Sequence, residues 1–251
     1  WKANYGFEMD ATTRAHMDNY ISTDLGREHV LRTIRTKRTA AGLSSEDMSD
    51  EELLKQAECF FAGGHDLIIG RRHFTDSATN RSDFAASGDL SITEHFGFIK
   101  FTVETIKDLY ERNRYAKYVA VFQNWLKPAG ASFDHLHKQL VSIDERGLSA
   151  QQEIEKLRSH PNMYNEWAVD YAASQNLVIA ENTHAICFAG FGHRYPTLEV
   201  FSKSATPEPW LQTDAEIQDM SDLLHACHAA AGHNVPCNEE WHYKPIDLDI
   251  A

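Results

Sequence analysis

The sequence predicts an α+β fold in which short antiparallel sheets are backed by helices and preceded by a helical amino-terminal extension. Two apolar patterns support this prediction. Polarity alternates every second residue in short runs, as in half-buried strands, and apolar residues recur every three or four positions after Ser/Thr–x–x–Glu capping boxes, as in amphipathic helices. A strand–helix–strand order recurs after roughly 120 residues, which indicates an internal duplication.

Residues 1–62 form the predicted helical extension. Ser49 and Glu52 make a capping box, and the apolar residues that follow at helical spacing are Leu53, Leu54, Ala57 and Phe61. The segment is charged and lacks strand patterning. We therefore expect it to pack on the outside of the core.

Residues 63–145 form the first predicted unit. Its strands are expected at residues 66–70, 118–122 and 135–143. Between the first two strands, Ser91 and Glu94 start a helix whose apolar stripe consists of Ile92, Phe96, Ile99, Val103, Ile106 and Tyr110. The pattern predicts a short antiparallel sheet backed by one helix.

Residues 146–251 form the second predicted unit, which we expect to be incomplete. Its strands are expected at residues 183–189 and 198–201. Thr213 and Glu216 form a third capping box, and Gly232 ends the helix that follows it. The second unit has no counterpart of the histidine motif described next, so only the first unit is expected to be catalytic.

The segment 124–143 contains the motif His–x–His–x–Gln followed by an alternating run. Because successive strand side chains point to opposite faces, His135, His137 and Gln139 are expected to project from one side of a strand. Upstream, Gly130 and Ser132 lie in a small-residue loop whose backbone N–H groups are expected to bind an anion. This combination favours phosphoryl chemistry.

His137 is the candidate nucleophile. The pKa of imidazole lies near working pH, and its neutral form can attack phosphorus directly. We expect the backbone around His135 to accept the other ring N–H of His137, which leaves the attacking nitrogen unprotonated. Gln139 offers an amide donor to a phosphoryl oxygen but cannot act as a general acid, because it carries no titratable proton. A glutamine there favours retention of a covalent intermediate until a second substrate arrives, and it makes a metal-dependent hydrolase a weaker interpretation.

The motif resembles the active-site signature of the galactose-1-phosphate uridylyltransferases, the transferase branch of the histidine-triad superfamily. The matching residues are Asn124, Gly130, Ser132, His135, His137 and Gln139. The resemblance implies duplicated histidine-triad-like units, a covalent nucleotidyl group on His137 and a phosphate contact from Gln139. It also implies that Asn124 and Ser132 touch substrate phosphates.

A second stretch, from Gly64 to His73, is similar to the strand of that family which ends at a histidine near the active site. The resemblance makes His73 and His135 candidate ligands of a structural zinc. The family's upstream C-x-x-C is missing here, and tetrahedral zinc needs two further ligands. Either the metal is lost or the sequence is a fragment; we favour a fragment, since it starts at Trp1.

Composition limits the partners. Among 251 residues, Lys and Arg number 24 against 37 Asp and Glu, a net charge of −13 that argues against nonspecific binding to nucleic acid or anionic membranes. A phosphorylated substrate would need local positive charge on this acidic protein, and Arg71 and Arg72 are the candidate residues that supply it. Four irregularly spaced cysteines and no apolar stretch of ~20 residues predict a soluble, cytoplasmic protein. A homodimer is left open.

These observations predict a nucleotidyltransferase that moves a nucleoside monophosphate between a nucleotide sugar and a hexose 1-phosphate, as the resemblance implies. A dinucleoside polyphosphate phosphorylase would share the signature and differ in its acceptor. A noncatalytic nucleotide-binding protein with the same fold is the alternative from another class. The identities of base and sugar are not readable from the sequence.

Overall fold

The computed structural model describes residues 11–40, 44–55, 65–112, 116–131, 133–143 and 146–248. The strands are β1 (His65–Ile69), β2 (Tyr118–Trp125), β3 (His137–Ile143), β4 (Val178–Glu181), β5 (Ala185–Ala189), β6 (Leu198–Ser202) and β7 (Cys237–Glu240). They form two antiparallel sheets with the orders β1-β3-β2-β7 and β4-β5-β6. The predicted α+β class, with antiparallel sheets and helices, is confirmed.

The helices are α1 (Ala11–Ile21), α2 (Asp24–Ala40), α3 (Asp50–Leu54), α4 (Ile92–Arg112), α5 (Leu148–Ser159), α6 (Asp170–Ser174) and α7 (Asp214–Ala231). Short 3-10 turns cover Ser87–Asp89, Lys127–Ala129 and Pro209–Leu211, and a π-helix covers Tyr164–Val169. Among the helices of the described ranges, none has the length and apolar character that a bilayer span requires.

The described part of the predicted extension is largely helical and has its own small core. The Ser49–Glu52 capping box starts α3. Val30, Ile34 and Leu53 are fully buried between α2 and α3. The expected continuation of this helix to Ala57 and Phe61 lies outside the described residues.

The four-stranded sheet has one face against α4 and one open face. Along β2 the buried positions alternate with half-buried ones, and α4 covers the buried side with Ile106 and Tyr110. The predicted stripe of α4 holds except at Ile92, which is exposed because it is the first residue of the helix. β2 extends to Trp125, three residues further than predicted.

β3 begins at His137, so the prediction that His135 belongs to this strand was wrong. The His135 ring nitrogen Nε2 donates a hydrogen bond to the Gly70 carbonyl at 2.6 Å, which turns this residue toward the end of β1. His137 and Gln139 do share a face of β3, as predicted. The side chains of Lys138 and Leu140 point to the opposite, fully buried face.

A helix pair, α4 and α7, links the two sheets. α7 packs on α4 and on β5 and β6, with Ile99, Val103 and Ile217 at the helix contact. β7, which the sequence had placed in the second unit, pairs with β2 of the first sheet. The sequence did not predict β7, because the buried position of this strand is Glu239, which interrupts the apolar alternation expected of a strand. The division at residues 145 and 146 stays a prediction.

Candidate active site

The candidate site lies on the open face of the four-stranded sheet, at the start of β3. In the antiparallel register Ile69 of β1 faces His137, and Phe122 of β2 faces Gln139. Asn124, two residues along β2 from Phe122, points to the same face as Gln139. The sheet therefore brings together three of the predicted site residues, His137, Gln139 and Asn124.

His137 is held in one tautomer. Its Nδ1–H donates to the His135 carbonyl oxygen at 2.7 Å, the backbone contact that the sequence predicted. A carbonyl oxygen can only accept, so the proton resides on Nδ1 and the lone pair on Nε2. Burial lowers the pKa of His137, although the His135 bond opposes that shift. The imidazole is therefore neutral at pH 7.

The reactive nitrogen of His137 is shielded from solvent. The side chain is only 2% exposed, and Nε2 is buried without a hydrogen-bond partner among the described residues. The Phe133 ring stacks on the imidazole with centroids 4.0 Å apart and planes inclined by 20°. Phe133 is itself 37% exposed, so it forms the solvent side of this stack. A substrate reaches Nε2 in this structure only if neighbouring groups move.

Gln139 is oriented by a residue of β1. Its Oε1 atom accepts from His65 Nε2 at 3.2 Å, across the register of β1 and β3. With its oxygen engaged, the carboxamide presents its two amide hydrogens elsewhere on the open face. This arrangement is suited to donating hydrogen bonds to an anionic group beside His137.

The loop between β2 and β3 is compact and conformationally strained. Gly130 has φ +90° and Leu126 has φ +66°, both in the left-handed region. The expectation that the loop's N–H groups bind an anion was wrong for Ala129, Gly130 and Ala131. Their amides donate to the carbonyls of Leu126 and Lys127, because the chain turns back on itself as a 3-10 turn.

The other predicted substrate-binding residues lie at the margins. Ser132 is outside the described residues. Arg71 is exposed just after β1, and Arg72 forms ion pairs with Asp76 at 2.8 Å and Glu94 at 3.2 Å. A phosphate group would have to compete with those carboxylates for Arg72. The roles of these residues remain predictions.

The two candidate zinc ligands are neighbours. The rings of His73 and His135 lie 4.5 Å apart, and Nδ1 of His73 is buried without a partner in the described structure. Since His135 Nε2 donates to Gly70, its Nδ1 carries the lone pair. Two nitrogens fit half of a tetrahedral zinc site. In the described ranges no group of three or more His, Cys, Asp or Glu side chains could hold a metal.

The full sequence, residues 1–251, matches a family model described as a domain of unknown function (DUF4921). The chain belongs to the DUF4921 family. No curated protein matches it.

Solved structures share the fold of this DUF4921 chain at low sequence identity. A uridylyltransferase mutant matches with a TM-score of 0.56 and 18% identity, over 67% of this chain and 58% of that one. A GalT-like protein from Arabidopsis thaliana matches with a TM-score of 0.58 and 17% identity, over 74% of this chain and 69% of that one. An ADP-glucose phosphorylase from the same plant, with bound ADP-glucose, matches with a TM-score of 0.59 and 16% identity, over 74% of this chain and 66% of that one. The likeness confirms the expected fold, which the chain shares with the uridylyltransferase and GalT-like structures.

The DUF4921 chain spans less than two thirds of the uridylyltransferase structures, 58% and 55% of their lengths. At these identities the likeness concerns the fold. A shared fold does not by itself determine an activity or a substrate.

The structure adds three residues that the sequence analysis missed: Phe133 over His137, His65 beside Gln139, and Asn238 beside Asn124. Phe133 and His65 lie within or beside the recognised motifs in the sequence, and this closeness to the motif histidines could have marked them as site residues. Asn238 is 114 residues from Asn124 and carries no such signal. Only the pairing of β7 with β2 brings it to the site.

Proposed function

We propose that the protein transfers a nucleoside monophosphate from a nucleotide sugar to a hexose 1-phosphate through a covalent nucleotidyl-histidine at His137. The observation that carries this proposal is the hydrogen bond from His137 Nδ1–H to the His135 carbonyl. It leaves Nε2 unprotonated, which is the state that a nitrogen nucleophile requires. The GalT-like fold of the chain supports the same reaction class.

The proposed reaction needs no external base. In the first step the Nε2 lone pair of His137 forms a bond to the α-phosphorus, and the bond from phosphorus to the bridging oxygen breaks. The sugar 1-phosphate leaves with that electron pair. In the second step an oxygen of the acceptor phosphate attacks the same phosphorus, and the N–P electron pair returns to Nε2. No net proton is gained or lost.

Gln139 and Asn124 supply the donors for the phosphoryl oxygens in this scheme. Each has a carboxamide whose oxygen is already engaged, by His65 in one case and by Asn238 in the other. Each carboxamide can therefore donate from its nitrogen, and the Asn124 nitrogen contacts the Gly130 carbonyl only at 3.5 Å. Such preorganised donors stabilise the charge that builds on phosphoryl oxygens during transfer.

The proposed function includes a zinc ion with a structural role. His73 and His135 would each supply one nitrogen, and the remaining ligands would come from outside the described residues. Bound there, the metal would tie the end of β1 to the segment before β3. The chemical steps above do not involve it.

The test is covalent labelling of the wild-type protein. UDP-glucose and ADP-glucose labelled at the α-phosphorus are each incubated with wild type, His137→Ala and the control His193→Ala, whose histidine pairs with Glu199 on the surface. Acid-labile, alkali-stable label is expected on wild type and on the control, and none on His137→Ala. Equal labelling of all three proteins would reject the mechanism.

A phosphorylase that uses inorganic phosphate as acceptor is the runner-up within this class. The similarity to an ADP-glucose phosphorylase favours keeping it. Labelled protein is chased with galactose 1-phosphate or with inorganic phosphate, and the released product is identified. Discharge by a sugar phosphate supports the transferase, whereas discharge by phosphate alone supports the phosphorylase.

The burial of His137 Nε2 favours one candidate from another class, a nucleotide-binding protein without turnover. Such a protein would bind nucleotide tightly and leave His137 unmodified. Isothermal titration with UMP and AMP, run beside the labelling, separates the two. Binding without any covalent label in wild type would support the noncatalytic function.

A further inference from the structure

Asn238, on the outermost strand β7, forms two hydrogen bonds beside the candidate site. Its Nδ2 group donates to Asn124 Oδ1 at 2.7 Å and to the Ala129 carbonyl at 2.8 Å. Asn124 and Asn238 are directly opposed in the register of β2 and β7. We propose that Asn238 is a positioning residue for the transfer, since it sets which end of the Asn124 carboxamide faces the substrate phosphate. This inference rests on the proposed function.

The orientation of the Asn124 carboxamide decides whether it attracts or repels an anion. One end of the group only accepts hydrogen bonds and the other only donates. Asn238 engages the oxygen, so the Nδ2 end points toward the loop. There it approaches the Gly130 carbonyl at 3.5 Å, the limit of a hydrogen bond. Because this bond is weak, little free energy is lost when the donor turns from the Gly130 carbonyl to a phosphoryl oxygen.

The loop itself offers few alternatives to this donor. The amides of Ala129, Gly130 and Ala131 are already used by carbonyls within the loop. With these three amides engaged, a side-chain donor is favoured for the phosphate on this side of His137, and Asn124 is the predicted residue that is well placed. A reversed Asn124 carboxamide would present oxygen to the phosphate instead. Asn238 disfavours that reversal, because its own amide would then face the donor end.

Asn238 also holds the loop that carries this contact. Leu126 and Gly130 adopt left-handed backbone conformations at the two ends of the turn. Such conformations persist where surrounding contacts support them. The bond from Asn238 to the Ala129 carbonyl is a contact of this kind. A single side chain thus couples loop position and amide orientation.

The experiment is a double-mutant cycle on the rate at which His137 is labelled. Asn238→Leu introduces an uncharged side chain of similar size that makes neither of the two hydrogen bonds. Asn238→Asp is a second variant, of nearly identical shape, that lacks the amide donor. Asn124→Ala removes the group through which Asn238 is proposed to act. Asn234→Leu, in the turn before β7, is the control because its amide contacts the His233 ring.

We expect Asn238→Leu to slow labelling about tenfold or more, and to add nothing in the Asn124→Ala background. A residue that acted only on general stability would slow labelling by the same factor in both backgrounds, which would overturn the inference. Labelling of Asn238→Leu at the wild-type rate would also overturn it, while leaving the proposed function intact.

Folding and function are separated by two further readouts. Circular dichroism melting curves are recorded for every variant, and if both Asn238 variants are unfolded, the residue is structural and the inference is wrong. Wild type that is not labelled at His137 overturns the proposed function together with this inference, whether or not it binds UMP or AMP. Labelled wild type with unaffected Asn238 variants overturns the inference alone.

Discussion

Lys138 and Glu239 form a buried ion pair on the side of the sheet opposite to His137. Lys138 Nζ lies 2.5 Å from Glu239 Oε1, and the lysine side chain is fully buried. Lys138 therefore reaches across β2 to β7, with Gln123 Oε1 accepting a second bond at 3.2 Å on the way. A one-residue slip of β3 would expose Lys138 and turn His137 into the core. The pair thus favours the register that the proposed chemistry needs.

Glu239→Gln should destabilise the protein by about 3–5 kcal/mol, because it leaves the Lys138 charge buried without a counter-ion. The double variant Lys138→Met/Glu239→Gln should recover part of that loss, since the unpaired Lys138 charge is gone; the bond from His228 to the Glu239 carboxylate stays lost. Urea unfolding followed by circular dichroism measures both. Glu181→Gln, which breaks the exposed pair with Lys203, is the matched control and should change stability little. Equal effects of Glu239→Gln and Glu181→Gln would contradict the prediction.

The stability should fall as the pH rises from about 6.5 to 9, because of His228. Burial lowers the pKa of this residue, but its hydrogen bonds to Cys237 and Glu239 and the charge of Glu239 together raise the pKa to about 9. A histidine with a raised pKa stabilises the fold fully below the unfolded pKa and loses that contribution as pH passes the folded pKa.

The His228 contribution is on the order of 3 kcal/mol at its full extent. Burial lowers the pKa of Lys138, so the wild-type profile contains more than one group. The measurement is therefore the difference between wild type and His228→Gln in urea unfolding across this pH range. A difference that stays constant with pH would show that His228 is not charged in the folded protein.

Phe133→Ala should make His137 react several-fold faster with diethyl pyrocarbonate, which modifies neutral imidazole nitrogen. The stacked ring is removed and Nε2 becomes accessible. Mass spectrometry of the His137 peptide follows the reaction. Phe74→Ala is the control, because that ring packs on His73 instead. If the rate at His137 is the same in both variants, Phe133 does not limit access.

Gly130→Ala should destabilise the protein by about 1–2 kcal/mol and slow the labelling of His137. A Cβ at this position would lie 3.7 Å from Asn124 Nδ2, an ordinary contact, so the cost comes from φ +90°. Gly192→Ala, at φ +78° with open space around it, introduces comparable strain away from the site. It should lower the melting temperature similarly and leave labelling unchanged. Slow labelling in both variants would indicate a general effect of stability.

Zinc should co-purify with the protein, and either His73→Ala or His135→Ala should lower its content. The two rings adjoin, and Nδ1 of His73 is buried without a hydrogen-bond partner among the described residues. Inductively coupled plasma mass spectrometry gives the zinc-to-protein ratio. His193→Ala, on the surface, should retain the wild-type ratio. A ratio near zero in wild type, or an unchanged ratio in both ligand variants, would remove zinc from the proposal.

Local patterns determined much of what the sequence revealed. The capping boxes at Ser49 and Thr213 start helices where predicted, because cap and backbone lie within one turn of each other. Strand alternation put His137 and Gln139 on one face, and the backbone at His135 fixed the tautomer of His137. These relationships span only a few residues, so the order of side chains suffices to predict them.

Tertiary structure alone decided the surroundings of those residues. It paired β7 with β2, and this set Asn238 beside Asn124 and Glu239 beside Lys138, contacts between residues more than a hundred positions apart. Such contacts depend on which distant segments close on each other when apolar surface is buried. That choice is a property of the whole packed chain, and no short-range period in the sequence encodes it.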